Sequence, residues 1–85
     1  MKIALEVTLT DGTTHDVAAG FADVIALEQK FGMDASDLTT KQRAVWLAFL
    51  AWNAMRRTGK TTAKFEDFQE TIEDLTPVGD DSGNE

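Results

Sequence analysis

The sequence predicts an α+β fold: an N-terminal β-hairpin followed by three helices, the second long and central, with a disordered acidic C-terminal tail. Three observations predict it. Ile3, Leu5, Val7 and Leu9 alternate with Ala4, Glu6, Thr8 and Thr10 ahead of Asp11-Gly12, the pattern of a half-buried strand running into a turn. Nine consecutive apolar residues, Ala44 to Trp52, hold both tryptophans inside a longer helical pattern. The last stretch, from Pro77 through Gly79-Asp80-Asp81-Ser82-Gly83-Asn84-Glu85, has nothing to bury. The expected organisation is a single domain over 1–75 and a flexible tail over 76–85.

The hairpin's register follows from its turn. A two-residue Asp-Gly loop would set Asp16 opposite Val7 and leave Val17 on the polar face. A three-residue Thr10-Asp11-Gly12 loop, with Gly12 left-handed at a bulge, sets Val17 opposite Leu5 and His15 opposite Val7. A one-residue slip reverses every side chain, so the bulged hairpin, which keeps the apolar residues together, is preferred.

After Ala19-Gly20 the pattern changes to that of a first helix, Phe21 to Phe31, stopped by Gly32. Phe21, Val24, Ile25, Leu27 and Phe31 form its apolar face, with Asp23 and Lys30 opposite; Glu28 falls within that face and is expected at its rim or paired with a cation. Met33 to Leu38 reads as a loop. The central helix is expected from about Thr40 to Thr58, with Thr39 and Gln42 at capping-box spacing and Gly59 as its stop after Arg56 and Arg57. At 100° per residue, Ala44, Leu47, Ala51 and Met55 read as the innermost face, and Val45, Phe49, Trp52 and Arg56 as a second. Arg43, Trp46, Leu50, Asn53 and Arg57 make the face expected nearest water. Beyond a polar link at Lys60 to Ala63, Phe65, Phe68, Ile72 and Leu75 recur at i, i+3, i+7 and i+10, predicting a short amphipathic third helix, acidic on its outer side.

Composition narrows the function. At 85 residues the chain makes one small domain, which buries only about 60–65% of the surface its unfolded form exposes. Without cysteine, neither a disulfide nor a thiolate zinc site is possible, leaving tight packing or self-association as the source of stability. Fifteen acidic against eight basic residues give a net charge of -7, which argues against nucleic acid and anionic membranes as partners. The opening residues lack the apolar region of a signal peptide, and the longest apolar run is short of a membrane span, so a soluble cytoplasmic protein is expected.

No constellation makes an enzyme, and no cofactor is implied. His15 is the single histidine, and a metal site there would need carboxylates that the strand alternation does not supply, so a hydrogen-bonded or rim histidine is expected. Gly59-Lys60-Thr61 matches the end of a phosphate-binding loop, but Ala54 stands where its first glycine belongs, and a helix rather than a strand precedes it. The pairs Glu66-Asp67, Glu73-Asp74 and Asp80-Asp81 lack calcium-loop spacing. Arg56, Arg57, Lys60 and Lys64 gather at the junction of the last two helices, where helix-end electrostatics and pairing with the acidic third helix account for them. Arg56, Arg57 and Lys60 could instead serve a small regulator that binds an acidic or phosphorylated target.

Taken in order, Val7-Thr8-Leu9-Thr10-Asp11-Gly12, Val24-Ile25-Ala26-Leu27-Glu28, Phe31-Gly32, the run from Trp46 to Gly59 and Phe65-Glu66-Asp67-Phe68 are similar to the small tail assembly chaperones of long-tailed bacteriophages and related prophages. The likeness spans about Ile3 to Leu75; Lys64 departs from it, because a capping Ser or Thr before Phe65 is more typical. The resemblance implies a non-enzymatic protein of the host cytoplasm that holds the helical tape measure protein during tail assembly and is absent from the finished virion. The tail-tube protein is a further implied partner, through a longer frameshifted form, and homo-oligomers are compatible. Trp46, Leu50, Asn53 and Arg57, with help from Phe65 and Phe68, are the residues expected to bind the partner, as tryptophan is favoured at interface hot spots. The alternative is a structural interaction protein, a minor virion or connector component that self-assembles.

Overall fold

The computed structural model describes residues 2–34, 36–37 and 43–78. It is a mixed α+β fold with an N-terminal antiparallel hairpin and, among the described residues, three helices of which the central one is longest. Strand β1 (Lys2–Leu9) and strand β2 (Thr14–Gly20) form the hairpin. Helix α1 (Phe21–Phe31), helix α2 (Ala44–Arg57) and helix α3 (Phe65–Glu70) follow, and a third strand, β3 (Ile72–Pro77), closes the order.

The hairpin is the bulged one. Leu5 lies opposite Val17 and Val7 opposite His15, and Gly12 takes the left-handed φ of 92° that the three-residue loop requires. Leu9 and Thr13 close the loop through a backbone bond of 2.8 Å, and the Asp11 carboxylate accepts both the amide and the hydroxyl of Thr13. One sheet face therefore carries Leu5, Val7, Val17 and Ala19, all buried beneath the helices. The other face, with Glu6, Asp16 and Ala18, is exposed.

The third strand corrects the expected course of the last helix. Helix α3 stops at Glu70, and Ile72 and Leu75, expected on its apolar face, belong to a strand. The Thr71 hydroxyl donates back to the Phe68 carbonyl at 2.7 Å, while its own carbonyl takes the amide of Thr10 in the hairpin loop at 2.8 Å. That carbonyl is thus committed to another part of the chain. The residues beyond add to the open edge of β1, with Leu75 opposite Val7, Glu6 opposite Thr76 and a bulge at Thr8/Leu9, giving the strand order β2-β1-β3. Thr76 and Pro77, assigned to the tail from sequence, are in this strand; Pro77 is tolerated because β3 is an edge strand. Residues 79–85 lie outside the described residues.

Both expected glycine stops are present. Gly32 ends α1 at φ 62°. Past Thr58, the amide of Lys60 reaches the Met55 carbonyl and that of Gly59, at φ 80°, reaches the Arg56 carbonyl, a Schellman closure of α2. The start of α2 differs from expectation. Arg43 is extended, at φ -68° and ψ 141°, so the helix begins at Ala44 rather than Thr40; Thr39 and Gln42 lie outside the described residues.

Candidate partner-binding site

The face of α2 expected nearest water is its core face. Trp46, Leu50 and Asn53 are 7%, 0% and 8% exposed, and Phe65 and Phe68 are buried as well. Of the six residues expected to meet a partner, only Arg57 is substantially accessible, so the exposure assigned to the Trp46 and Leu50 side is corrected. The cause is packing. Helix α2 is apolar on nearly every side, so its own pattern does not orient it, and its neighbours enclose Trp46, Phe49, Leu50, Ala51, Ala54 and Met55. Around it, Phe49 meets Phe31 edge-on at 5.7 Å and Phe65 edge-on at 5.4 Å, with Trp52 tilted against both Phe49 and Phe65 at 5.5 Å. The Trp52 indole N–H donates to the Ala63 carbonyl at 2.8 Å, tying the link before α3 to this cluster.

Asn53 and Arg57 have a structural task. Both converge on Asp23, which the sequence reading placed on the polar side of α1 but which is fully buried. Asp23 accepts the Gly20 amide at 2.8 Å, the Asn53 side-chain amide at 2.7 Å, and Nε and Nη2 of Arg57 at 3.2 and 2.7 Å. Helix α1 is accordingly rotated from the expected orientation: Val24 and Leu27 are buried, while Phe21 and Ile25 are 62% and 38% exposed. Burial works to raise the Asp23 pKa, but hydrogen bonds from Arg57, Gly20 and Asn53, together with the Arg57 charge, outweigh it and hold the carboxyl below its usual value. The hydrogen bonds to Asp23, and its charge, raise the Arg57 pKa. Arg57 thus pairs with α1 and not with the acidic third helix. Arg56 lies over the Trp52 ring at 5.0 Å. Glu28 is half-buried at the rim of α1.

His15 is half-buried beside a cleft it shares with Asp11, Lys60 and Asp67. Hydrogen bonds from Thr13 lower the Asp11 pKa. Among the described residues no three potential metal ligands come together, and no helix is long and apolar enough to cross a membrane.

The accessible apolar surface lies elsewhere on α2. The helix packs mainly over β2 and α1 and only lightly against β3. This leaves an open groove of about 540 Å³ between the first two turns of α2 and the inner face of β3. Val45, Leu47 and Ala48 form one wall with Ala44, Ile72 and Leu75 form the floor, and Gln69, Glu73 and Asp74 form the rim. Ala44 and Leu47, read from sequence as part of the innermost face, are its exposed and half-buried members here, while Ala51 and Met55 on the same face are buried. The sequence signal for this groove was the absence of any polar side along Ala44 to Trp52, which a domain this small covers at only one end. Ile72 and Leu75 could not be placed opposite it while they were read as helical.

The fold and groove define a small α+β domain with one flank of its central helix open. Comparison with protein-family models, with curated proteins and with solved structures finds no match to this chain.

Proposed function

We propose that this protein is a non-enzymatic phage tail assembly chaperone of the host cytoplasm, which binds the helical tape measure protein and keeps it soluble while the tail is built. The similarity of the segments quoted between Ile3 and Leu75 supports the family reading. The observation that carries the binding role is the half-buried wall of Val45, Leu47 and Ala48, held open beside β3. An apolar groove bounded by a helix suits the helix-in-groove mode of recognition. The net charge of -7 suits a protein that must stay soluble while presenting such a surface. The binding residues proposed are therefore those of the groove, in place of Trp46, Leu50, Asn53, Phe65 and Phe68, which are enclosed.

Co-expression with a helical tape measure fragment tests this reading. The wild-type chain should raise the fragment's soluble yield, and Leu47→Asp with Ala48→Asp should abolish the gain while circular dichroism shows the fold retained. An unchanged soluble yield with the wild-type chain would sink the proposal. The exposed pair Phe21 and Ile25, one turn apart on α1, favours the second reading, a self-assembling virion component. Its detection by mass spectrometry in purified particles would select that reading.

A further inference from the structure

The helical layer over the sheet is unevenly filled. Helix α2 covers β2, whereas β3 turns Ile72 and Leu75 towards the same layer and both remain only half-buried. Packed helices lie about 8–10 Å apart, and the small side chains of Ala44 and Ala48 on this flank permit that approach. An added helix in this layer would lie beside α2 above β3. An incoming strand is a poorer fit, because the groove offers side chains rather than the backbone of a sheet edge, and Pro77 leaves the outer edge of β3 one donor short.

The rim specifies the charge of the occupant. Glu73 borders the groove, and among the described residues it has no cation in salt-bridge range. Asp74, opposite Thr8, belongs to the outer face of the sheet, where its carboxylate accepts the Leu75 amide at 2.9 Å. Arg43, just ahead of α2, turns to the opposite side, over the Trp46 ring at 5.7 Å. A second copy of this chain would bring the same carboxylate towards its own counterpart across a twofold contact, and it carries the same net charge of -7. We propose that the groove between α2 and β3 receives one amphipathic helix of a different, basic chain, its apolar stripe on Val45, Leu47, Ile72 and Leu75 and a Lys or Arg flank against Glu73. This deepens the chaperone reading by naming the chemistry of the segment held, and it rests on that reading only for the partner's identity.

The test uses the full chain and two labelled peptides of about 18 residues, long enough to populate a helix. They share a Leu/Ala stripe and differ only in Lys or Glu flanks. Fluorescence anisotropy should show the Lys-flanked peptide binding at least about tenfold tighter at low salt, a preference that shrinks as salt rises. Amide shift changes should centre on Val45 to Ala48 and Ile72 to Leu75. Glu73→Lys, at an exposed position, should reverse the preference. Equal affinities, shift changes centred on the outer sheet face, or a preference untouched by the charge reversal would each overturn the inference. So would sedimentation showing a dimer through this groove. If the Lys-flanked peptide binds as described but the tape measure fragment is not solubilised, the chaperone reading falls and the groove's specificity stands. If the fragment is solubilised equally by wild type and by the charge-reversed variant, the specificity falls and the chaperone reading stands.

Discussion

The carboxylate of Asp23 takes both Nε and Nη2 of Arg57, at 3.2 and 2.7 Å, across a separation of 34 residues. This fork fastens the first turn of α1 to the last turn of α2, and Asn53 completes it from one turn earlier on α2. Planar bidentate geometry makes Arg a better partner than Lys at this position. It sets the rotation of α1, with Val24 and Leu27 inward and Phe21 outward.

The clamp makes stability depend on acidity. Asp23 has a folded-state pKa below its ordinary value, so its contribution is complete above the unfolded value of about 3.9 and is lost as pH falls through the depressed folded value. Urea midpoints measured from pH 7 downwards should therefore drop for the wild type below about pH 4. Asp23→Asn should start less stable at pH 7 and fall less steeply in that window. Parallel curves for the two proteins would show that the fork contributes nothing.

Trp46 and Leu50 belong to the core, and truncating them should unfold the domain rather than impair binding alone. Trp46→Ala is expected to cost about 3–5 kcal/mol and Leu50→Ala about 2–5 kcal/mol, a large share of what a small domain holds in reserve. Chemical denaturation measures both. A cost under about 1 kcal/mol for Trp46→Ala would mean that its side chain is not enclosed.

Gly12 stands at φ 92° with nothing within 4 Å of where a Cβ would point, so a substitution meets backbone strain and no clash. Gly12→Ala should destabilise by about 1 kcal/mol, and Gly12→Asn by less, since Asn tolerates left-handed backbone better. Thermal unfolding separates the two. Equal midpoints for wild type and Gly12→Ala would argue for a different loop.

The last strand has a direct spectroscopic signature. Backbone Cα shifts over Ile72–Pro77 should be extended in type, with cross-strand contacts between Glu6 and Thr76 and between Val7 and Leu75. Helical shifts continuing from Phe65 to Leu75 would restore a longer third helix and remove the floor of the groove.

What was legible from residues alone was local. The Leu5–Val17 register, the left-handed Gly12 and the stops at Gly32 and Gly59 each follow from alternation and turn chemistry within a few neighbouring residues. The candidate site was less legible. Its wall lay in the apolar run from Ala44 to Trp52, but the side chosen for a partner, Trp46 and Leu50, is the enclosed one. An all-apolar helix has no polar back to orient it, so the packing of its neighbours decides which side faces out. Ile72 and Leu75, three apart, suit one turn of a helix as well as one face of a bulged strand. The choice was made by β1, which offered an open edge far earlier in the chain. The buried Asp23 was hidden for the same reason, since its partners Asn53 and Arg57 lie on another helix. Short-range stereochemistry thus wrote the hairpin and the helix ends into the sequence. The rotation of α1 and α2, the third strand and the groove between α2 and β3 arose only when distant segments competed for the same sheet and the same buried carboxylate.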